Sequence, residues 1–212
     1  MARNKSSKHR GNADRTPVEQ ADVAVARSAA RLRDQPVVKA LGHVSELADQ
    51  PPLIAFCAAA IGYGLAARDR RVARLGFRML AAHLLATGAK TVVKQSVDRS
   101  RPMLLIDNDH YQLAPGKDAE DHNLASFPSG HTAGAVAVAR AWARERPGDA
   151  AAAAALATTA GVLQIPRCAH YLSDCAAGAA IGLAAEWVAS AAIDAGERAI
   201  PAVAARLAEG GR

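Results

Sequence analysis

The sequence predicts an all-α protein, a membrane-embedded bundle of five to six helices, and three observations indicate this class. Half of the 212 residues are apolar, yet only 4% are aromatic, and alanine dominates the apolar set. Such a composition favours helices that pack closely through small side chains. The sequence lacks the alternation of β-branched or aromatic residues with polar ones that is typical of strands. Its apolar stretches are separated by connections that are alternately basic and acidic, as in proteins that cross a membrane repeatedly.

The N-terminal fifty residues are basic and only weakly apolar. Residues 1–16 contain no apolar run, which predicts a disordered basic tail and argues against a cleaved signal peptide. Residues 17–50 predict an amphipathic or membrane-dipping helical segment. Two alternatives stay open: an interfacial helix over 17–33, where apolar residues recur at helical spacing beside arginines, or a membrane-dipping helix near 36–50. The second alternative would return the basic tail to the cytoplasmic side.

Residues 51–195 form the predicted helical core, and residues 196–212 form the predicted C-terminal tail. The core contains five apolar stretches, at about 52–67, 76–93, 131–143, 150–166 and 175–193. Only the last approaches the roughly 20 residues that cross the apolar part of a bilayer. Hydropathy alone therefore leaves a soluble helical bundle as an alternative.

The charges of the connecting loops favour the membrane over that alternative. The short loops 68–75 and 140–147 are rich in arginine, whereas the longer loop 99–127 has more acids than bases. Because basic loops stay on the cytoplasmic side, this pattern predicts an integral protein of the bacterial inner membrane. Loop 99–127 would then face the periplasm or exterior, and its acidic part, 107–122, is expected to be a solvated loop over the entrance of the site with a lid or substrate-selection role. Nucleic-acid binding is not predicted, because no recognition motif accompanies the net charge of +6.

Three short segments carry the predicted chemistry. The first contains Lys94 and Arg101-Pro102, the second is Pro128-Ser129-Gly130-His131, and the third contains His170 and Asp174. Lysine and arginine bind phosphate oxygens, and a serine before an alanine-rich stretch predicts a capped helix start, whose backbone amides also bind anions. A histidine can attack phosphorus or protonate a leaving oxygen, and a carboxylate four residues away can orient it. Together the segments predict phosphoryl transfer through histidine.

These segments resemble the motifs of the type 2 phosphatidic acid phosphatase superfamily, in its membrane lipid phosphatase branch. The first motif is lysine, six residues and Arg-Pro, the second is Pro-Ser-Gly-His, and both are complete here. The third motif is Ser-Arg, five residues, histidine, three residues and aspartate. It is matched only in its second half, because Leu163 and Gln164 stand at the Ser-Arg positions. Arg167, three residues before the histidine, is the expected substitute for the missing cation.

The resemblance implies a role for each matched residue. His170 would attack phosphorus to form a phosphohistidine, Asp174 would stabilise it, and His131 would protonate the leaving group. The substrate-binding residues would be Lys94, Arg101, Ser129, Gly130 and Arg167. The family commonly has six helices, which favours the membrane-dipping alternative for residues 36–50.

These roles predict a metal-independent phosphohydrolase, with no cofactor and no bound metal, that removes phosphate from a lipid phosphate or diphosphate. The sequence does not separate polyprenyl diphosphate, phosphatidic acid, phosphatidylglycerol phosphate and phosphorylated glycolipid as substrates, and it gives no oligomeric state. One alternative is a catalytically impaired relative that only binds lipid phosphate, because Gln164 lacks the charge of the expected arginine. The other is a helical scaffold or transporter in which the motif matches are accidental.

Two smaller expectations concern residues near these motifs. Arg99 and Asp98 lie inside the first motif and are expected to form a local ion pair at the rim of the site. The three cysteines have neither the spacing of a zinc site nor that of a disulfide framework. Cys57 is expected to be a small buried apolar residue, and a bridge between Cys168 and Cys175 is left as an alternative.

Overall fold

The computed structural model describes residues 15–116 and 121–210, with side chains up to residue 199, and it confirms the all-α prediction. The helices are α1 (Pro17–Ala30), α2 (Pro36–Ser45), α3 (Gln50–Ala66), α4 (Arg70–Ser96), α5 (Pro102–Asn108), α6 (Gly130–Glu145), α7 (Ala150–Val162) and α8 (Leu172–Gly210). Two strands of three residues, β1 (Val97–Arg99) and β2 (Leu113–Pro115), form an antiparallel pair between α4 and α6. This pair was not predicted, because three residues are too few to show an alternating pattern.

Capping residues in the sequence mark where several of the helices begin. Thr16 caps α1 and forms a reciprocal pair of hydrogen bonds with Glu19. The side chains of Asp49, Asp69 and Ser129 accept hydrogen bonds from the first backbone amides of α3, α4 and α6. These bonds satisfy amides that have no partner inside a helix, so the sequence itself sets where each helix begins.

Helices α3, α4, α6, α7 and α8 correspond to the five predicted apolar stretches and form the bundle, with α4 in contact with α3, α6 and α8. Its core consists mainly of small side chains, including Cys57, Ala82, Ala137 and Ala185. Close approach of α8 to α6 depends on Gly182, where a Cβ would lie 2.6 Å from the carbonyl oxygen of Ala133. The helices therefore pack nearly backbone to backbone, as small residues allow.

The outer surface of the bundle is apolar, and the buried arginine of its core, Arg78, is paired with carboxylates. Phe77 on α4 and Trp187 on α8 are 61% and 67% exposed, a distribution that suits lipid rather than water. By length and composition, Leu172–Ala199 is the single described helix that can cross a membrane. At the end of the bundle distant from the predicted motifs, Arg78 is buried and bonds Glu145 at 2.8 Å and Asp194 at 2.5 Å. The fold is that of a membrane-embedded helical bundle.

The N-terminal helices differ from the membrane-dipping alternative for residues 36–50. Helix α2 has ten residues, about 15 Å of helix, and a short 3-10 turn follows it, so this segment does not cross the bundle. Helix α1 contacts α5 and the start of α8. Both therefore lie at the end of the bundle that holds the predicted motifs. Residues 1–14 of the predicted basic tail lie outside the described residues.

The predicted boundary between the core and a C-terminal tail at residue 196 does not appear in the backbone. Helix α8 continues to Gly210, because alanine, leucine, arginine and glutamate dominate this stretch and favour helix. The three cysteines are free and buried, so the alternative of a bridge between Cys168 and Cys175 is wrong.

Candidate active site

The three predicted segments meet at one end of the bundle, where α4 ends and α6 and α8 begin. Strand β1 connects them: the Arg99 amide donates to the Leu124 carbonyl at 2.7 Å, and the Ser126 amide donates to the Arg99 carbonyl at 3.0 Å. The Ser129 amide, at the start of α6, donates to the backbone carbonyl of Asp174 at 3.0 Å. Backbone hydrogen bonds thus fix the second and third segments against each other.

His170 lies just before α8 and is oriented by a backbone carbonyl. Its Nδ1 atom is 2.7 Å from the carbonyl oxygen of Ser126 and 3.9 Å from Oδ2 of Asp174. A carbonyl oxygen can only accept, so Nδ1 carries the proton and Nε2 keeps its lone pair. Burial lowers the pKa of His170 below its ordinary value, so the ring stays neutral and nucleophilic. A hydrogen bond from His170 to the Ser126 carbonyl therefore replaces the expected direct bond from His170 to Asp174.

Asp174 is fully buried and accepts three hydrogen bonds. Its Oδ2 atom accepts from the Ser126 hydroxyl at 2.6 Å and from the Tyr171 amide at 2.7 Å. Its Oδ1 atom accepts from Nη1 of Arg99 at 2.5 Å. Because Ser126 also supplies the carbonyl that binds His170, Asp174 fixes the residue that orients the imidazole. Its negative charge at 3.9 Å also favours a positively charged ring.

Arg99 is central to this site, which corrects the prediction that it pairs with Asp98 at the rim. Arg99 is only 3% exposed, and Asp98 is equally buried. Besides Asp174, its guanidinium bonds Oδ2 of Asp22, on α1, at 2.7 Å and the Ser173 hydroxyl at 2.7 Å. The two buried carboxylates raise the pKa of Arg99 against the opposing effect of burial. One arginine thus links α1 to the carboxylate behind the histidine.

A sequence signal for this contact existed on α1. Glu19 and Asp22 lie on the same helical face as Val23 and Ala26, and all four side chains are buried. Carboxylates on the apolar face of a helix need a buried partner, because an unpaired charge is too costly there. The partner itself could not be identified from spacing, since Arg99 lies 77 residues away.

The two cations of the first motif bond backbone carbonyls of the segment that precedes the second motif. Lys94 donates from Nζ to the Ala125 carbonyl at 2.9 Å, and Arg101 donates from Nε to the His122 carbonyl at 2.9 Å. Burial, followed by repulsion from Lys90 and Arg101, lowers the pKa of Lys94 to about 8. Burial also lowers the pKa of Arg101. Both cations are thus partly removed from water, and at Lys94 neighbouring positive charges add to the shift, a setting that suits the binding of an anion.

The second motif forms the first turn of α6, as predicted. The Ser129 hydroxyl accepts from the Thr132 amide at 3.4 Å, and Gly130 and His131 follow with their amides at the helix start. The Nε2 atom of His131 has no hydrogen-bond partner among the described residues and is 3.9 Å from Oε2 of Glu46. A histidine near a carboxylate is suited to hold and donate a proton.

Glu46, Asp49 and His131 are the described residues whose spacing suits a metal ion. Their ligand atoms lie within 4.8 Å of one another. Glu46 is exposed and also forms an ion pair with Arg167. The same carboxylate therefore neutralises part of the positive charge of Arg167.

A sequence profile of the PAP2 superfamily matches residues 74–197, more than half of the chain and all three segments. The chain belongs to the PAP2 superfamily. Among solved structures, it is similar to a transmembrane PAP2 type phosphatidylglycerolphosphate phosphatase from Bacillus subtilis, with 19% identity and a TM-score of 0.59 over 86% of this chain and 89% of that one. It is also similar to LpxE of Aquifex aeolicus, with 20% identity and a TM-score of 0.56. That similarity covers 79% of this chain and 93% of the LpxE chain. These structures share its fold, and no curated protein sequence matches it.

The main departure from the PAP2 motifs is a neutral residue at the third-motif arginine position. Gln164 is 1% exposed, and its amide donates to the Ala160 carbonyl at 3.0 Å. Arg167 bonds the Ser45 hydroxyl at 2.8 Å through Nη1 and Glu46 through Nη2. Its guanidinium is thus held on the His131 side of the site, beside the carboxylate that also faces His131.

An apolar groove begins beside the PAP2 site. It has a volume of about 530 Å³ and is lined by α2, α3, α6 and α7. Its lining includes Ser45 and Leu163 near Arg167, then Ala135, Ala139 and Trp142 along α6. The groove therefore runs from the end that holds the three motifs along the length of the bundle, and nearly all of its surface is hydrocarbon.

Proposed function

We propose that this protein is a membrane phosphohydrolase that removes phosphate from a lipid phosphate or diphosphate through a phosphohistidine. The observation that carries the proposal is the convergence of His170, with Nε2 free, the cations Lys94 and Arg101, and the first turn of α6. Nucleophile, phosphate ligands and a second histidine at one place are what histidine-dependent phosphoryl transfer needs.

In the proposed first step, Nε2 of His170 attacks phosphorus and forms a P–N bond. The bond from phosphorus to the lipid oxygen breaks, and that oxygen takes its electron pair and a proton from His131. Lys94, Arg101, Ser129 and the Gly130 amide bind the phosphoryl oxygens, and Arg167 adds positive charge near His131. Asp174 stabilises the positive ring of the phosphohistidine.

In the second step, water attacks phosphorus and gives a proton to the now neutral His131. The P–N bond breaks, its electron pair returns to Nε2 of His170, and inorganic phosphate leaves. His131 thus acts as acid in the first step and as base in the second, and both histidines return to their starting states.

The apolar groove supports a lipid as the substrate. Its hydrocarbon lining suits an acyl or prenyl chain, whose transfer from water contributes about 0.8 kcal/mol per buried CH₂. Since the groove starts beside Arg167, a chain lying in it places its phosphate end near the cations. The loops at the opposite end of the bundle are rich in arginine, so we propose that the site faces the periplasm or exterior.

The test is phosphate release from a panel of lipid phosphates by detergent-purified protein in EDTA. The panel contains phosphatidic acid, phosphatidylglycerol phosphate, a polyprenyl diphosphate and a phosphorylated glycolipid. We expect release by the wild type, its loss in His170→Ala and a fall of at least about 100-fold in His131→Ala. The matched control is His43→Ala, an exposed histidine of α2 that lies outside the motifs.

Three outcomes would contradict parts of the proposal. Release that requires a divalent metal would refute metal independence, and full activity in His170→Ala would refute the phosphohistidine. Binding of lipid phosphate by folded wild-type protein without any release would identify the binding-only relative, in which Gln164 has removed catalysis. Rapid quenching followed by detection of an acid-labile phosphoenzyme tests the intermediate directly.

A further inference from the structure

The phosphate site as described has a gap where the third-motif arginine stands in the PAP2 pattern. Gln164 is buried and neutral, and its amide bonds a backbone carbonyl rather than reaching the site. Arg167 is charged, but Glu46 and Ser45 already bind its guanidinium. A phosphoryl group carrying two negative charges therefore lacks a cation on the α6 side.

Lys90 lies at this position. It precedes Lys94 by four residues on α4, so the two side chains share one face of the helix. Its Nζ atom is 2.8 Å from the point that a Cβ on Gly130 would occupy. The absence of a side chain at Gly130 thus gives the Lys90 ammonium group room beside the first residue of α6.

The electrostatic setting of Lys90 calls for an anion. Among the described residues, no carboxylate lies within ion-pair distance of its ammonium, although it is only partly exposed. It lies beside the start of α6, which is the positive end of a helix dipole, and its charge acts on both Lys94 and His131. These positive charges repel one another when the site is empty. A bound phosphate attracts each of them and so offsets that repulsion.

We propose that Lys90 is a third phosphate-binding cation that takes the place of the missing third-motif arginine. It would bind a phosphoryl oxygen on the Gly130 side, while Lys94 and Arg101 bind oxygens on the other side. The ligand is a phosphate monoester or a diphosphate. Inorganic phosphate, the product of hydrolysis, would bind at the same place. This inference rests on the phosphate site of the proposed function and does not require that the site be catalytic.

The experiment measures binding of inorganic phosphate and hydrolysis in parallel. Binding is measured by calorimetry on detergent-purified protein that carries His170→Asn, which removes turnover. Into this background we introduce Lys90→Met, Lys90→Arg, Arg167→Met and Lys39→Met. Lys39 is the matched control, since it lies on α2, at the same end of the bundle, but pairs with Asp34 in solvent.

We expect Lys90→Met to weaken phosphate binding by about tenfold or more, because a charge-assisted hydrogen bond is lost. Lys90→Arg should restore binding to within about threefold, and Lys39→Met should leave it unchanged. In the enzyme with His170 intact, Lys90→Met should lower kcat/KM for a lipid phosphate by at least the same factor. Rescue by arginine would distinguish phosphate binding from a structural role of the lysine stem.

Phosphate binding within about twofold of the parent in Lys90→Met would overturn the inference. A loss of tenfold or more in Arg167→Met alone would then assign the missing charge to Arg167. If no lipid phosphate is hydrolysed but Lys90→Met still loses phosphate binding, the proposed catalysis fails while the Lys90 site stands.

Discussion

Replacing Arg99 with methionine should both destabilise the protein and disorder the nucleophile. The Arg99 side chain is 4% exposed, and the carboxylates of Asp22 and Asp174 that it binds are 3% and 0% exposed. Removing one partner of a buried ion pair costs about 3–5 kcal/mol. Because Arg99 pairs with two carboxylates, we expect the free energy of unfolding to fall by the upper end of this range, about 5 kcal/mol. For a chain of this size that corresponds to a Tm lower by roughly 10–20 °C.

The effect on catalysis should appear in milder variants that fold. Lysine at position 99 keeps the charge but, as a point charge, cannot bind both carboxylates in the fork geometry of arginine. Asn at position 22 leaves Arg99 paired with Asp174 alone. In both variants we expect kcat to fall about tenfold or more, because small displacements of a nucleophile are costly. KM should change little, since Lys94 and Arg101 are untouched.

The assay combines thermal unfolding in detergent with steady-state kinetics on the best lipid substrate. The matched control is Arg33→Met, which removes a partly exposed arginine that pairs with the exposed Asp107. We expect little change in the control, because exposed ion pairs contribute weakly. If Arg99→Met keeps its Tm within about 3 °C of the wild type and retains its kcat, Arg99 does not hold Asp174 in place.

Three further predictions follow from the site and the bundle. The kcat/KM profile should fall on the acid side below pH 6.5, where His170 gains a proton, and on the alkaline side as the proposed acid His131 loses its proton and then, near pH 8, as Lys94 does. A bound anion raises the pKa of Lys94, so the fall near pH 8 should move to higher pH in kcat, and a fall near pH 8 that stays in place in Lys94→Arg would contradict the assignment. Gly182→Ala should lower Tm, because its Cβ would lie 2.6 Å from a backbone oxygen of α6, whereas Gly62→Ala, with open space around it, should not. Ala139→Phe should partly fill the groove and reduce kcat/KM for a long-chain lipid phosphate about tenfold, while kcat/KM for a short-chain soluble phosphate ester stays unchanged. An equal loss of kcat/KM on both substrates would refute the groove as the binding site of the lipid chain.

Much of the bundle could be predicted because its signals are local. Each apolar stretch of the core became one helix, since alanine-rich runs favour helix and capping residues such as Ser129 mark where it begins. The placement of α1 and α2 could not be predicted in this way. Their sequences fit an interfacial or a membrane-dipping helix equally well, and the choice depends on contacts such as that of Asp22 with Arg99. Such contacts join residues far apart in sequence and leave no periodic pattern.

The site shows the same division between local and distant information. The motif spacing located His170, Asp174 and the cations, but the roles of their neighbours depended on three-dimensional position. Arg99 was expected at the rim, because adjacent opposite charges on a polar segment usually form a solvent-exposed pair. Lys90 was not predicted to be a site residue, because a lysine within an apolar stretch has no distinguishing spacing. Its significance comes from Gly130, on another helix.

The charges around His170 form two groups with different effects on the reaction. Asp22 and Asp174 share one arginine, so these three side chains together carry one net negative charge. That charge favours the positive ring of a phosphohistidine. Lys94, Arg101 and the start of α6 are positive, and in the proposed mechanism they bind the phosphoryl oxygens. Without Arg99 the two carboxylates would carry two negative charges and oppose the binding of an anion. In the proposed mechanism, Arg99 thus lets a buried carboxylate stabilise the phosphohistidine without repelling the substrate.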